Sequence, residues 1–321
     1  MAQLEKFTPT GLEAQLHLRR SAAQVQVLAG LVVNRRNRLK PRFQNAKQRV
    51  PPSLTAGGLI VALVLFVAVA APFIAAYAPD QVRAGARLAA PSPAHPFGTD
   101  TLGRDMFSRV LHGALIAVQA AAAGMGIAAA LGVPSGLLAG YRRGWLDWAL
   151  SRFVDVWLAF PGLLLALVVV ARLGPSLPNA ILAVGLLGAP GFYRLTRGLA
   201  LSACKMAYVE AAQAVGCRQG RILARHILPN LASSLIVFAT LRAGTAILAV
   251  GGLSFIGLGA QPPSPEWGAL LAAGRSHMDT APWLAIYPGL SLTLTVVGLN
   301  LLGDGLRDLW DGRLCPNKAC H

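Results

Sequence analysis

Charged residues are scarce in this sequence. Asp, Glu, Lys and Arg make up 13% of 321 residues, about half the ~25% of an ordinary soluble domain. So few charges cannot cover a soluble surface, which excludes one or two soluble domains of this length. Acids are scarcer than bases, 13 against 29, and the net charge is +16. The four cysteines are too few for a disulfide scaffold. Disorder is excluded from the other side, because 55% of the residues are hydrophobic before the 34 glycines are counted and mean hydropathy is +0.54. The motifs of several familiar chemistries are missing too. There is no Gly-x-Ser-x-Gly and no His-Glu-x-x-His, and His17, His95, His112, His226 and His277 show no metal-pair spacing. None of the five lysines follows a glycine, as a Walker A phosphate loop requires. A nucleic-acid binder would be this basic but not this apolar. What remains is a multi-span membrane protein.

What the chain has instead is long charge-free runs. Residues 50–79, 110–141, 156–171, 173–193, 226–241, 243–265 and 280–303 carry no Asp, Glu, Lys or Arg. A transmembrane helix needs about 20 mostly apolar residues. Only Arg242 separates the fifth and sixth runs, while Gly251-Gly252 and Gln261-Pro262-Pro263 break the sixth. The pattern therefore predicts an all-α membrane protein with six transmembrane helices, near 57–77, 112–139, 151–171, 177–193, 230–251 and 283–303. With the N-terminus inside, the inner segments hold 22 Lys and Arg and the outer ones 6, which predicts that both termini are cytoplasmic. The positive charge is then a collar facing anionic membrane lipid, with no nucleic acid needed to explain it. Residues 1–56 read as a basic cytoplasmic segment, a solvated tail in preference to an interfacial helix. Residues 78–111 read as an extracytoplasmic segment and 305–321 as a cytoplasmic tail. Cys315, Cys320 and His321 lie in that tail, at a spacing too wide and with ligands too few for a zinc site. No metal site is expected. Cys204 and Cys217 fall in an inner loop and read as inert small residues.

One inner loop is long. From Arg194 to Leu228 it contains Tyr208, then Glu210-Ala211-Ala212, Gly216 and Ile227-Leu228-Pro229. Good helix formers run to Val215, and Gly216 is placed to cap them. A second short helix fits Arg218 to His226, and Pro229 is suited to opening the next span. The product is a helix–glycine–helix elbow, presenting one acid among several bases, of a shape that docks into a groove. A plain linker with a glycine turn has the same spacing.

The residue identities narrow this choice. Glu210-Ala211-Ala212, Gly216 and the Ile227-Leu228-Pro229 closure resemble the EAA loop of ABC importer permeases. The resemblance extends to His95-Pro96-Phe97-Gly98-Thr99-Asp100, Gly103-Arg104-Asp105 and Ser108-Arg109, then to Gly136 through Tyr141 and Asp155 through Pro161. It continues in Leu253 through Gly259, Gln261-Pro262-Pro263, Trp267-Gly268, Ala281-Pro282-Trp283 and Asn300 through Asp308. The ordered set, spanning about 57–314, is similar to the second, C-type permease of the dipeptide/oligopeptide/nickel family. Membership implies the type I ABC importer permease fold in a bacterial cytoplasmic membrane, with a five-helix core over 112–304 and a coupling loop over 205–229. It also implies that this chain is not an enzyme and carries no cofactor. ATP and Mg would sit on two separate ATPase subunits, beside a second permease and an extracytoplasmic substrate-binding protein. Peptides are the implied cargo, with nickel and glutathione importers as alternatives within the family. A stand-alone secondary transporter or channel is the alternative of another class; it would predict inverted repeats, and none is evident.

The resemblance implies that Tyr208, Glu210, Ala211, Ala212, Gly216, Ile227, Leu228 and Pro229 form the ATPase-coupling loop, with Glu210 transmitting motion and Gly216 setting the elbow angle. It implies an outer-mouth role for Gly98, Asp100, Gly103, Arg104 and Asp105. By residue type these five point to a capped turn more than to substrate contact. Arg242 stands near the middle of the fifth span, where a charge is costly and usually faces a pathway or a partner. An ion pair with Asp155 is the other reading, and both are candidate pathway residues. The family commonly has a small residue at 242 and Glu at 250, where this chain has Arg242 and Val250. A more positive pathway, suited to more anionic cargo, is expected.

Overall fold

The structure is a computed structural model and describes residues 51–314, with side chains through 310. The basic N-terminal segment, apart from its last few residues, and the cysteine-containing end of the tail lie outside the described residues. Among the described residues the regular structure is helical: α1 Pro52–Ile74, α2 Met106–Arg142, α3 Gly144–Ala159, α4 Gly162–Leu173, α5 Leu177–Ala203, α6 Ala207–Ala214, α7 Gln219–Phe255, α8 Trp267–Gly274 and α9 Trp283–Leu314. A single 3-10 turn, Arg275–His277, follows α8.

Four of these helices, α1, α2, α7 and α9, are long and apolar enough to cross a membrane, and the bent pair α3–α4 makes a fifth span if taken together. The structure departs from the sequence expectation at several places. The expected third span, 151–171, is not one helix: α3 and α4 meet at 90° across Phe160-Pro161. Proline disfavours helical backbone at the residue before it, and Phe160 is extended with ψ 136°. The expected fourth span is the first part of α5, whose apolar run is diluted by Pro178, Asn179, Pro190 and Arg194. The expected break at Gly251-Gly252 does not occur. α7 continues to Phe255 and ends only where Gly257 takes φ 84°. Finally, the supposed loop 252–282 contains α8. Glu266 caps it by accepting the Ala269 amide at 2.9 Å, and Trp267 buries its ring and donates Nε1–H to the Val110 carbonyl at 3.0 Å.

Small residues let the long helices approach backbone to backbone, as membrane helices require. Gly132, Gly136 and Gly140 on α2 face α5. A Cβ at Gly132 would lie 2.4 Å from the Ala189 carbonyl oxygen, and one at Gly136 would lie 2.5 Å from that of Tyr193. α1 meets α9 in the same way, where a Cβ at Gly57 would lie 2.3 Å from the Leu302 nitrogen. Opposite this contact α1 exposes Leu59, Phe66, Val69 and Phe73, the surface expected of a helix solvated by lipid. A central core joins Ala120 of α2, Val170 of α4, Ala183 of α5 and Leu253 of α7. A second core, around Met106, Ile247, Trp267 and Leu284, ties α2, α7, α8 and α9.

Candidate functional site

Three structures contain the residues singled out above. The first is a polar knot at the N-terminal end of α2. Gly98 and Gly103 both have positive φ, 70° and 73°. They allow a tight return in which Thr99 and Asp105 pair as an antiparallel bridge. Inside the return Asp100 accepts the Leu102 and Arg104 amides at 2.8 and 2.9 Å and the Arg104 Nε–H at 2.6 Å. Asp105 is the N-cap of α2. Its Oδ2 accepts the Ser108 amide and hydroxyl, both at 2.8 Å. Its Oδ1 lies 2.9 Å from His95 Nδ1. Asp100 and Asp105 are buried and occupied by these partners. Arg109 and His95 belong to the knot although sequence reasoning did not select them as site residues. Buried Arg109 donates Nη1–H to the Pro79 carbonyl at 2.9 Å and places Nε 3.9 Å from Asp100 Oδ2. The signal available was their place in the same polar run as the two aspartates.

The second structure is the elbow, packed against the opposite, C-terminal end of α2. Here α6 lays Val209, fully buried, on Ile222, Leu223 and Ile227 of α7, with Leu137 of α2 and Ala200 of α5 beneath. Gly216 ends α6 at φ 78°. Its amide donates to Gln213 O at 2.9 Å and that of Cys217 to Ala212 O at 3.1 Å. This pair of bonds satisfies the last carbonyls of the helix in a Schellman cap. Ala212 and Cys217 also touch the same apolar cluster. Tyr208, Glu210, Ala211 and Val215 remain exposed, and Val215 is 84% exposed although apolar. Pro229 does not open a new helix. It lies within α7, just after a π turn over Ile222–Ile227 whose Leu228 amide reaches back to Leu223 O. A proline inside a helix lacks one amide and crowds the carbonyl four residues earlier, and a π turn widens the helix enough to accommodate it. Ile227 is buried, Leu228 half-buried and Pro229 exposed. Around the elbow, burial pushes the Cys204 thiol above its ordinary pKa, with Arg143 acting in the opposite direction.

The third structure is a cavity of about 330 Å³ among α2, α3, α4, α5 and α7. Leu158, Gly162 and Leu163 bring the α3–α4 bend to its wall, Gly188 and Gly191 supply bare backbone from α5, and Arg242 and Thr245 come from α7. Arg242 is the one charged residue of the lining. Its guanidinium stands 5.2 Å from the centre of the Phe238 ring. The alternative ion pair with Asp155 is not formed. Asp155 accepts from Arg194 Nη2 at 2.8 Å, with Arg152 at 3.8 Å, and does not line the cavity. Val250, where the family pattern has an acid, is buried in the central core. A further tie that sequence reasoning missed holds this region: both oxygens of Asp147 on α3 accept from the Arg197 fork on α5.

The comparisons with known proteins agree with this architecture. The family described as "Binding-protein-dependent transport system inner membrane component" matches residues 132–314, from the last third of α2 through the elbow to the end of α9. The dipeptide transport system permease protein DppC of Alkalihalophilus pseudofirmus is 43% identical over 258 residues, covering 80% of this chain and 85% of that protein. The glutathione transport system permease protein GsiD of Pectobacterium atrosepticum is 45% identical over 260 residues, 81% and 86% of the two chains. That of Escherichia coli is 48% identical over 262 residues, 80% and 85%. With its helical fold, its apolar spans and these relatives, the chain belongs to the family of inner membrane components of binding-protein-dependent transport systems, and is a multi-pass permease of the bacterial inner membrane.

Proposed function

We propose that this permease is one of two membrane subunits of an ATP-driven importer of peptides. In this reading α3–α4 is a single bent span and α5 a further one, giving six, with both termini and the elbow on the cytoplasmic side. Two separate ATPase subunits hold ATP and Mg and seat the elbows. An extracytoplasmic binding protein delivers cargo at the end formed by the 78–111 knot and α8. The sidedness is supported by the 22 to 6 distribution of Lys and Arg.

What supports the reading most is the construction of the elbow. A short helix held from below by Val209 and stopped by the Gly216 cap keeps Tyr208, Glu210 and Val215 outside. An apolar residue as exposed as Val215, flanked by exposed Arg218, Arg221 and Arg225, is a surface made to be covered. A partner that closes on ATP would move the elbow. Movement of the helices behind it would alternate access to the cavity, which is a population shift driven from outside the chain. The dipeptide and glutathione systems named by the relatives favour small peptides as cargo, glutathione being a tripeptide itself.

The test is co-purification followed by transport. Chain tagged at its N-terminus and extracted gently from its host is expected to bring a second permease and ATPase subunits. The reconstituted complex is expected to take up labelled peptide only with ATP and binding protein. Glu210→Arg or Gly216→Pro should release the ATPase. Recovery of the chain alone, transporting without ATP, would replace this reading with a secondary transporter or channel.

A further inference from the structure

We infer that Arg242 is a specificity-determining residue of the transport pathway: its guanidinium receives a carboxylate of the passing cargo, so that the transporter favours peptides with an acidic side chain. The inference rests on the peptide-import reading and specifies which peptides.

Position is the first argument. Arg242 is the fifteenth residue of the 28-residue stretch Leu228–Phe255, about 20 Å from either end at 1.5 Å per residue. That depth places it near the middle of a hydrocarbon layer about 30 Å thick. A cation there needs water or an anion. Among the described residues no carboxylate lies within 4 Å of it: Asp155 is held by Arg194 and Asp147 by Arg197. Its one aromatic contact, the Phe238 ring at 5.2 Å, does not neutralise a charge. The side chain nonetheless stays exposed, open to the cavity that it lines.

The cavity supplies the second argument. Its volume of about 330 Å³ lies within the range of small-ligand sites. Leu158 and Gly162 of its wall flank the non-helical Phe160-Pro161 corner, and such backbone at membrane depth is tolerated where it is covered by protein or lines a wet cavity. At Gly191 a Cβ would sit 3.2 Å from the Phe238 ring and 3.9 Å from Arg242 Nη2, so the ring and the guanidinium beside it both lie against α5 backbone. Thr245, exposed beside it, donates its hydroxyl to the Arg242 carbonyl at 2.7 Å, which leaves the guanidinium as the charged donor of an apolar lining. A lone planar cation in an apolar cavity is a receptor for carboxylate. Lipid phosphates lie at the membrane surface, too far to serve.

The experiment uses the whole transporter, with partner permease, ATPases and binding protein, in liposomes. It measures ATP-driven uptake of a neutral peptide and of the same peptide with one residue changed to Asp, each at saturating binding protein. Replacing Arg242 by Gln should lower the acidic-to-neutral uptake ratio about ten-fold, the size of one lost charge-assisted bond. Arg242→Lys should keep most of the ratio, and Arg242→Glu should turn the preference toward a Lys-containing peptide. A ratio reports selectivity within one preparation, so reduced folding does not mimic the effect. An unchanged ratio in Arg242→Gln and Arg242→Glu overturns the inference while leaving the importer reading intact. If Arg242→Gln and Arg242→Lys both lose the partner permease, the guanidinium is an interface residue and the inference falls. If the unaltered complex takes up no peptide, the peptide reading itself falls, and this inference with it.

Discussion

His95 and Asp105 meet in the interior of the knot, with Nδ1 2.9 Å from Oδ1, while the other oxygen of the same carboxylate caps α2 through Ser108. One buried side chain thus fixes both the start of a 37-residue helix and the fold of the segment before it.

Asp105→Ala removes the cap and leaves His95 and the Ser108 hydroxyl without their acceptor. A lost cap costs about 1 kcal/mol and orphaned buried polar groups about 1–3 kcal/mol, so a loss of about 2–4 kcal/mol is expected. Asp105→Asn, which keeps one carbonyl oxygen, should lose less. Thermal unfolding in detergent, followed by the fluorescence of buried tryptophans, measures both.

At Gly216 the expected cost comes from backbone alone. Nothing lies within 4 Å of where a Cβ would stand, yet φ is 78°. Gly216→Ala should therefore cost about 1–2 kcal/mol. Gly216→Asn should cost less, because Asn tolerates this region better. Peptide-stimulated ATPase activity of the complex should fall in the same order. Equal activity in all three would mean that the elbow angle is not transmitted.

Two glycines of α2 should respond with opposite tendencies. At Gly136 a Cβ would lie 2.5 Å from Tyr193 O and 3.0 Å from Thr196 Cβ, whereas at Gly126 nothing is within 4 Å. Gly136→Ala is expected to destabilise by about 1–3 kcal/mol through overpacking against α5. Gly126→Ala should be neutral or stabilising by up to about 1 kcal/mol, since Ala is the better helix former. Yield of monodisperse protein and melting temperature report the difference.

Cys204 should behave as a slow thiol. Burial raises its pKa, and only the thiolate reacts. With Cys217, Cys315 and Cys320 replaced by Ser, maleimide labelling at Cys204 should lag a free thiol at neutral pH. It should still be accelerating at pH values where the free thiol has levelled off. The sign for stability follows: the fold favours the protonated thiol, so its contribution is complete below the unfolded pKa and is lost as pH rises through the folded one. Labelling at the rate of free cysteine across this range would contradict the burial.

Much of this was legible in the sequence because a membrane imposes a simple test on it. Charge-free runs located α1, α2, α7 and α9 to within several residues at most ends, since a charge in lipid is costly wherever it falls. The glycine cap of the elbow was legible for a local reason: Gly216 follows a run of helix formers, and chain direction there depends on one φ angle. The misreadings each have a physical cause. Gly251-Gly252 are poor helix residues in water, but α8 packs on the α7 backbone there: a Cβ at Gly268 of α8 would lie 2.1 Å from Gly251 O, and one at Gly251 would lie 3.3 Å from Leu292 Cδ1. Pro229 read as a start because its amide is absent, and a π turn absorbed that absence instead. α8 was hidden because its stability comes from Trp267 reaching Val110, 157 residues away, a contact with no local signature. The polar knot was visible as a motif but not as a set of pairs, because spacing does not say which carboxylate meets which base.

The unbroken helical backbone from Gln219 to Phe255 makes the second arm of the elbow, beyond Gly216, and Arg242 parts of one rod. Arg242 stands twenty residues beyond the start of the π turn at Ile222, about 30 Å along the axis, so a tilt of about 10° there would swing it by about 5 Å. That is roughly the width of a carboxylate with its bonded water. In the proposed cycle, gripping the cargo and letting it go would need no relay of side chains between the two ends of the protein: leverage would carry the stroke, and the stiffness of a single helix would set how faithfully it arrives.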